Sequence, residues 1–322
     1  MPEQLKVLAL LSDGKFHSGR DLGEQLGVSR AAVWKTVQGI EEQLGVTVQS
    51  VPGRGYRLAR PLELLTVEGI QTGLSSAGRA LLSKIEVLPC IDSTNNYLRN
   101  GAVRSGQVVF AEQQTAGRGR RGNRWVSPFG KNLYFSLAWR FDVPVMQLSG
   151  LGLVVAIAVA NGLAVFVPDV GLKWPNDIYW QNRKLAGILL EVEGEVHGTG
   201  TVIIGIGINI NMTPETGAAI DQPWVDLSTI AGAPVSRSRV AGIVLDAVLS
   251  SIRRYTDLGF SPFREAWLER DILYGQAVNV LTERGKICGI GRGIDQNGAI
   301  LVEQDGELLS YHAGEVSLRR RD

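Results

Sequence analysis

Residues 115–125, Thr115-Ala116-Gly117-Arg118-Gly119-Arg120-Arg121-Gly122-Asn123-Arg124-Trp125, contain four arginines, three glycines and no acidic residue. Glycine lets a backbone approach a ligand closely, and arginine pairs with phosphate and carboxylate groups. The stretch therefore predicts an anion-binding loop, and a loop that merely solvates its charges is the alternative. Its spacing differs from the G-x-x-x-x-G-K-[ST] pattern, which excludes a P-loop nucleoside triphosphatase.

Short β-like runs flank this loop and recur through the centre of the chain. They are residues 85–88, 108–112, 133–139, 172–174, 188–192 and 201–210. Helical spacing is predicted over residues 66–82 and 147–166, and the second segment is apolar enough to be buried. The pattern indicates a mixed α/β domain over residues 63–272 of a multi-domain α+β protein.

Two strand-like runs joined by a polar turn place Lys184 at the start of the second. A lysine at the edge of an apolar strand can stabilise negative charge on a buried carboxylate or acyl phosphate. Asp177 offers oxygen ligands to Mg²⁺. A hairpin whose polar residues simply face water is the alternative.

The run Asp92-Ser93-Thr94-Asn95-Asn96 follows the first β-like run of the central domain. Taken alone, its side chains are predicted to cap a helix over residues 96–100. The alternative is that the same hydroxyl and amide groups bind the polar head of a small ligand.

Residues 1–62 have the layout of a winged helix-turn-helix. Ser18 is predicted to cap a short helix and Ser29 a longer one, and a β-hairpin with Arg54 at its tip follows as the wing. The predicted DNA contacts are Ser29, Arg30, Lys35, Thr36 and Arg54. Residues 1–60 hold eight basic and six acidic residues, a net charge of +2. A monomer with so small a positive charge should bind DNA poorly, which predicts a dimer on an operator with two half-sites. The alternative is that the winged helix serves only for protein contact.

Residues 273–322 are predicted to form a third, small domain. Short strands are expected at residues 277–282, 288–294, 299–303 and 307–311, with turns at Asn297-Gly298 and Asp305-Gly306. The pattern favours a small SH3-like β-barrel.

The composition excludes several classes of protein. The formal net charge is +1, so DNA binding needs a local basic patch. Cys90 and Cys288 are too few for a disulfide framework, and with no signal peptide they favour a cytoplasmic protein. The longest apolar stretch, residues 151–167, is short for a membrane span, so no membrane partner is expected.

Five motifs occur in a fixed order along the chain. They are Asp92-Ser93-Thr94-Asn95 with Gln114, Gly117-Arg118-Gly119-Arg120-Arg121-Gly122, Lys173-Trp174-Pro175-Asn176-Asp177, Lys184-Leu185-Ala186-Gly187-Ile188-Leu189 and Gly205-Ile206-Gly207-Ile208-Asn209. This ordered set, between a winged helix and a small barrel, resembles bifunctional biotin protein ligases that also repress the biotin operon. The resemblance covers essentially the whole chain, although no single motif decides it.

The resemblance implies a two-step reaction and a regulatory role. Biotin and MgATP form biotinyl-5′-adenylate and diphosphate. The biotinyl group then passes to one lysine of the biotin carboxyl carrier protein of acetyl-CoA carboxylase. Biotin, as its adenylate, is also the corepressor of a homodimer that binds operator DNA.

The resemblance also implies roles for individual residues. Contacts to biotin or its adenylate are implied for Ser93, Thr94, Asn95, Gln114, Arg118, Gly119, Arg120 and Lys184. Catalytic roles are implied for Lys184, Arg118 and Arg121. Contacts to ATP are implied for Arg121, Trp125, Asn209, Trp224, Glu315 and Arg319. Asn123 stands where similar ligases usually carry a further arginine, so it is excluded from the predicted catalytic residues.

Two other functions stay open at the level of sequence. The chain could be a transcription factor whose ligase-like domain only senses a ligand, or a lipoate-type ligase. Lys184 and the complete arginine loop favour an enzyme. The winged helix and the loop together favour biotin over lipoate.

Overall fold

The computed structural model describes residues 3–101, 103–144, 147–193, 199–282, 285–313 and 316–320. The helices are α1 (Glu3–Leu11), α2 (Gly19–Leu26), α3 (Arg30–Leu44), α4 (Val67–Gln71), α5 (Ser76–Ala80), α6 (Thr94–Arg99), α7 (Leu151–Leu163), α8 (Pro214–Gly217), α9 (Leu227–Ala231), α10 (Arg237–Leu258) and α11 (Arg264–Leu268). The strands are β1 (Val48–Val51), β2 (Gly55–Leu58), β3 (Lys84–Leu88), β4 (Gln107–Ala111), β5 (Leu133–Pro144), β6 (Gly171–Lys173), β7 (Asp177–Trp180), β8 (Arg183–Glu193), β9 (Thr199–Ile208), β10 (Ala277–Thr282), β11 (Gly285–Ile294), β12 (Ile300–Gln304), β13 (Glu307–Tyr311) and β14 (Ser317–Arg320).

The N-terminal elements α1–α3 and β1–β2 form the predicted winged helix-turn-helix. The Ser18 and Ser29 hydroxyls accept hydrogen bonds from the backbone N–H groups of Asp21 and Ala32, so both predicted caps are confirmed. β1 and β2 pair antiparallel with Arg54 in the connecting turn. Apolar side chains of the three helices and the hairpin form one buried core.

The central sheet has the strand order β3-β4-β5-β9-β8-β7-β6 within the described residues. β3 and β4 are parallel, and the other neighbouring strands are antiparallel. α7 and α10 join the main apolar core with one face of this sheet, because alternate residues such as Ile204, Ile206 and Ile208 point towards it. The opposite face is covered at one end by α6, through Leu98.

The predicted buried helix is α7, which is shorter than the predicted segment. Eleven of its 13 residues are buried, as expected for a helix that is apolar on all sides. Among the described residues, no helix is long and apolar enough to cross a membrane.

The single helix predicted over residues 66–82 is wrong, because the segment forms α4 and α5 with a break between them. Gly73 lies in the break, where a Cβ would be 2.8 Å from the Cα of Gly242 in α10. The Ser75 hydroxyl then accepts a hydrogen bond from the N–H of Gly78 and donates one to Asp246. Close packing and a new cap therefore override the helical spacing.

The C-terminal strands form an antiparallel sheet in the order β13-β12-β11-β10-β14. The sequence predicts four of these strands and misses β14. The indole N–H of Trp174 donates to the carbonyl of Gly298 at 3.0 Å, which fixes this sheet on the central domain. The small β-sheet domain is confirmed, and SH3-like closure into a barrel stays a prediction.

A buried ionic cluster joins β4 and β5 of the central sheet to the chain that leads from the winged helix. Arg237 is fully buried, and its Nη1 atom lies 2.8 Å from Glu112 Oε2 without hydrogen-bond alignment. Its guanidinium donates to the carbonyl oxygens of Asn132 and Glu63. One side chain therefore ties together β4, the start of β5 and the interdomain linker.

The Glu63 carboxylate completes this connection at the first turn of α10. It accepts hydrogen bonds from the backbone N–H groups of Arg237 and Ser238, at 2.7 and 2.9 Å. Burial disfavours its charge, but these bonds and the one from the Ser236 hydroxyl lower the pKa of Glu63 below its usual value. The linker is thus held at a helix N-terminus, where a carboxylate is favoured.

Candidate active site

Small residues on the sheet face opposite α7 make room for the predicted site residues. A Cβ at Gly205 would lie 2.3 Å from Oδ1 of Asn95, and a Cβ at Gly207 would lie 2.4 Å from the Trp125 ring. Glycine at both positions therefore lets an amide and an indole lie directly against the backbone of β9.

The arginine loop, residues 117–124, folds back on itself next to this face. Arg118 and Arg124 form an antiparallel bridge, and the N–H of Gly119 donates to the carbonyl of Asn123 at 2.7 Å. Arg121 has a φ of 55°, a left-handed conformation that the turn requires. Arg121 is exposed, whereas Arg118 and Arg120 are half-buried over the sheet.

A β-bulge turns Lys184 towards the loop. The register of β7 with β8 shifts between the pairs Ile178–Ala186 and Tyr179–Lys184. Leu185 and Ala186 consequently both enter the core, and the side chain of Lys184 crosses to the face that carries Trp125. The Lys184 ammonium lies 5.5 Å from the centre of the Trp125 ring and 2.8 Å from Asp177 Oδ1.

The second arginine of the loop approaches the same place. The Arg120 Nη1 atom donates to Oδ1 of Asn176 at 3.3 Å. Burial lowers the pKa of Arg120, and the neighbouring Asp177 carboxylate opposes that shift. The structure therefore brings Arg120, Lys184 and Trp125 together around Asp177.

Asp177, the predicted Mg²⁺ ligand, forms an ion pair in this structure, and its coordination of Mg²⁺ stays a prediction. Its Oδ1 atom pairs with Lys184, and the described part of the chain has no group of three or more His, Cys, Asp or Glu residues that could hold a metal. Mg²⁺ in nucleotide sites is usually held by one or two carboxylates together with phosphate oxygens. The donor set thus fits a magnesium ion that enters with the nucleotide.

The Ser-Thr-Asn turn does not cap a helix with its side chains, so that interpretation is wrong. α6 begins at Thr94, and the buried Ser93 at its N-cap makes no side-chain hydrogen bond to the helix. The backbone N–H and the hydroxyl of Thr94 instead donate to Oε1 of Gln114, at 2.9 and 3.1 Å. The turn and the start of the loop are therefore one hydrogen-bonded unit.

Asn95 is bonded at both ends of its amide. Its Nδ2 atom donates to Oε2 of Glu191 at 2.7 Å, and its Oδ1 atom accepts from the Ser136 hydroxyl at 2.5 Å. Arg118 Nη2 donates to the same oxygen of Glu191 at 2.5 Å. Sequence reasoning missed Glu191, because a glutamate near the end of an apolar strand reads as a solvent-facing residue.

The predicted nucleotide residues lie on the other side of Lys184. The backbone N–H of Lys184 donates to the carbonyl of Pro223 at 2.9 Å, and the neighbouring Trp224 packs on Gly217. Asn209 Nδ2 donates to the carbonyl of Val225 at 3.3 Å. Lys184, Asn209 and Trp224 are therefore adjacent.

Two further nucleotide predictions are not placed. Glu315 lies outside the described residues. Arg319 is described only by its backbone, in β14, opposite Asn279. A contribution of the C-terminal domain to this site stays a prediction.

The exposed face of α3 carries two of the five predicted DNA contacts. Arg30 and Lys35 are exposed, whereas Val33 and Val37 are buried, as the helical period requires. Thr36 is half-buried, and the Ser29 hydroxyl is used as the cap. Sequence reasoning missed Trp34, which is 56% exposed and lies four residues after Arg30.

The wing is ordered by cation–π contacts. The guanidinium carbons of Arg54 and Arg57 lie 4.2 and 4.5 Å from the centre of the Phe16 ring. These contacts restrain both positive charges of the wing.

Alanine at Gly207 is expected to loosen the arginine loop. A methyl group there would overlap the Trp125 ring, and overpacking of this kind costs about 1–3 kcal/mol, enough to raise local opening by about tenfold. Tryptic cleavage within residues 117–124 should therefore accelerate. Gly152→Ala is the control, because its Cβ would meet Leu190 at an ordinary 3.4 Å. Equal cleavage rates in both variants would contradict this packing.

Comparison with known proteins identifies the fold of each part. The HTH domain family matches residues 3–57, the Biotin/lipoate A/B protein ligase family matches residues 87–209, and the Biotin protein ligase C terminal domain family matches residues 273–319. A biotin protein ligase from Aquifex aeolicus, solved with biotin and ATP, is similar at 31% identity and a TM-score of 0.65. The match covers 74% of this chain and all of that one.

Two curated relatives are similar along nearly their whole length. The bifunctional ligase/repressor BirA of Escherichia coli is 42% identical over 98% of this chain and 97% of its own. The protein of the same name from Bacillus subtilis is 32% identical over 94% of both chains. With this similarity across all three parts of the molecule, the chain belongs to the family of bifunctional biotin protein ligases of the BirA type.

Proposed function

We propose that this protein is an ATP-dependent biotin protein ligase that also acts as a biotin-responsive transcriptional repressor. The observation on which the enzymatic part depends is the position of Lys184. Its ammonium is largely buried, beside the arginine loop and the Trp125 ring, on a sheet face that glycines keep open. The two relatives named bifunctional ligase/repressor support both the enzymatic and the repressor function.

In the first step, a carboxylate oxygen of biotin attacks the α-phosphorus of MgATP. The bond from that phosphorus to the bridging oxygen breaks, and diphosphate leaves with the electron pair, so biotinyl-5′-adenylate forms. Two anions must approach each other, and fixed positive groups in a site that excludes water stabilise the charge that builds up. Lys184 and Arg121 supply this charge, and a catalytic role for Arg118 stays a prediction.

In the second step, the neutral amine of a carrier-protein lysine attacks the acyl carbon of the adenylate. The acyl–oxygen bond breaks, AMP leaves, and the amine loses a proton as the amide forms. Water would hydrolyse the same mixed anhydride, so the loop over residues 117–124 has to close on it. The carrier is the biotin carboxyl carrier protein of acetyl-CoA carboxylase.

The remaining site residues divide between the two substrates. Biotin and its adenylate are held by Ser93, Thr94, Asn95, Gln114, Arg118, Gly119, Arg120 and Lys184. ATP is held by Arg121, Trp125, Asn209, Trp224, Glu315 and Arg319, with Mg²⁺ arriving on the phosphates near Asp177. A carboxylate that already neutralises Lys184 keeps the ammonium in place until the substrate anions arrive.

The repressor function belongs to a homodimer. Each winged helix presents Ser29, Arg30, Lys35, Thr36 and Arg54 to one half-site, and biotinyl-5′-adenylate is the corepressor. The domain division is 1–62, 63–272 and 273–322. A cytoplasmic location stays a prediction.

Transfer of labelled biotin tests the enzymatic assignment. The protein is incubated with tritiated biotin, MgATP and a carrier domain, and label is expected on the carrier only when ATP is present. A carrier with its target lysine replaced by arginine is the control. No transfer would favour a ligand sensor, and transfer of lipoate in place of biotin would favour a lipoate ligase.

A further inference from the structure

Glu191 is the common acceptor for two residues that the proposed function assigns to biotin. Its Oε2 atom accepts from Arg118 Nη2 at 2.5 Å and from Asn95 Nδ2 at 2.7 Å. Arg99 Nη1 lies 3.6 Å from its other oxygen. The carboxylate is only 21% exposed. Charge-assisted bonds at these lengths fix the orientation of both donors.

The charges divide the site into two unlike ends. Around Glu191, the cations Arg99 and Arg118 are matched by Glu191 and by Asp92, whose pKa is lowered mainly by a hydrogen bond from Asn96 and further by Arg118. These groups carry two positive and two negative formal charges.

At the other end, Lys184 and Arg120 face the carboxylate of Asp177. These groups carry two positive charges and one negative charge. An uncharged ligand group fits the first end, and the reacting carboxylate and phosphates fit the second.

One unsatisfied donor points to the ligand group at the Glu191 end. The Nε–H of Arg118 is buried and has no hydrogen-bond partner among the described residues. A buried donor without an acceptor is unfavourable, so an acceptor on a bound ligand would stabilise it. Because Glu191 neutralises the guanidinium, that acceptor need not be an anion. The ureido carbonyl of biotin is an uncharged acceptor of this kind.

From these contacts we infer that Glu191 is a positioning residue for the uncharged ureido head of biotin. It holds Arg118 and Asn95 in place and balances the charge of Arg118, so that this arginine binds the head and does not act on the phosphates. This inference rests on the proposed function and deepens it. Glu191 therefore affects the affinity for biotin, whereas Lys184 and the remaining cations act in the chemical step.

Biotin amide is the probe that isolates this end, because it keeps the ureido head and lacks the carboxylate. Glu191→Gln is expected to weaken binding of biotin and of biotin amide by the same factor, about 10-fold to 100-fold, as for loss of a charge-assisted hydrogen bond. The KM for ATP and the kcat at saturating biotin should stay within about 3-fold, because only binding is affected. Lys184→Gln should weaken biotin but not biotin amide.

Glu86→Gln is the matched control. Glu86 has a similar exposure of 20%, also pairs with a cation, and lies outside the site, so its binding constants should equal those of the wild type. If Glu191→Gln lowers the melting temperature, Glu191→Asp keeps the charge and should show an intermediate loss of biotin amide affinity.

Two results would separate this inference from the proposed function. Wild-type affinity for biotin amide in both Glu191 variants, or a fall in kcat with unchanged biotin affinity, would overturn the inference alone. A wild-type protein that binds neither biotin nor biotin amide would overturn the proposed function as well.

Discussion

Replacing Lys184 with glutamine is expected to slow biotinyl-adenylate formation by about 10²–10³-fold, the usual effect of losing one preorganised charge in a site that excludes water. Glutamine keeps most of the length of the side chain and its donor capacity but removes the positive charge. The β-bulge before Ala186 would still direct the side chain to the Trp125 face, so the loss should fall mainly on the chemical step.

The rate is measured as biotin-dependent diphosphate release in a single turnover. Arg183→Gln is the control, because Arg183 also carries a positive charge, precedes Lys184 and instead stacks on Trp180 at 5.1 Å. It should retain the wild-type rate within about 3-fold. Equal rates for the two variants would show that the ammonium of Lys184 does not act on the reaction.

Replacing Arg237 with methionine is expected to lower the free energy of unfolding by about 3–5 kcal/mol, because the buried Glu112 carboxylate would lose its cationic partner. Two hydrogen bonds to the carbonyl of Asn132 and one to that of Glu63 would be lost as well. Unfolding in urea, followed by far-UV circular dichroism, measures the loss. Because the linker is fixed by the same guanidinium, tryptic cleavage near Arg60 should also increase.

Two further variants test whether the buried charge is the cause. Arg239→Met, two residues along α10 at an exposed position, loses a cation–π contact with Phe166 and should change the free energy of unfolding by no more than about 1 kcal/mol. Arg237→Met combined with Glu112→Gln should recover part of the stability, because the unpaired carboxylate is gone. If the double variant is no more stable than Arg237→Met, the loss of stability is due to packing and not to the unpaired charge.

The elements were predictable where the local pattern and the tertiary structure agree. The β-like runs of the central domain lie within β3 to β9 or overlap them, because alternating and continuous apolar residues mark half-buried and buried strands. Ser18 and Ser29 cap their helices as predicted. The helix over residues 66–82 failed because Gly73 must pack against Gly242, and this contact is not visible in local spacing.

The site was less predictable than the fold, because its geometry depends on pairings between distant residues. The strand position of Lys184 follows from sequence, but the bulge that turns it to the loop does not. Ser93 stands at an N-cap without a side-chain cap bond, and Thr94 is bonded to the distant Gln114. Glu191 becomes visible only when β8 and α6 are placed side by side.

The most direct measurement identifies the small molecule that the protein retains after mixing with biotin and MgATP in the absence of a carrier. After rapid gel filtration, mass spectrometry should find biotinyl-5′-adenylate at about one equivalent per chain, and much less with Lys184→Gln. Recovery of unreacted biotin and ATP from the wild-type protein would contradict the account, because the arginine loop and Lys184 would then not be acting on the same activated acid.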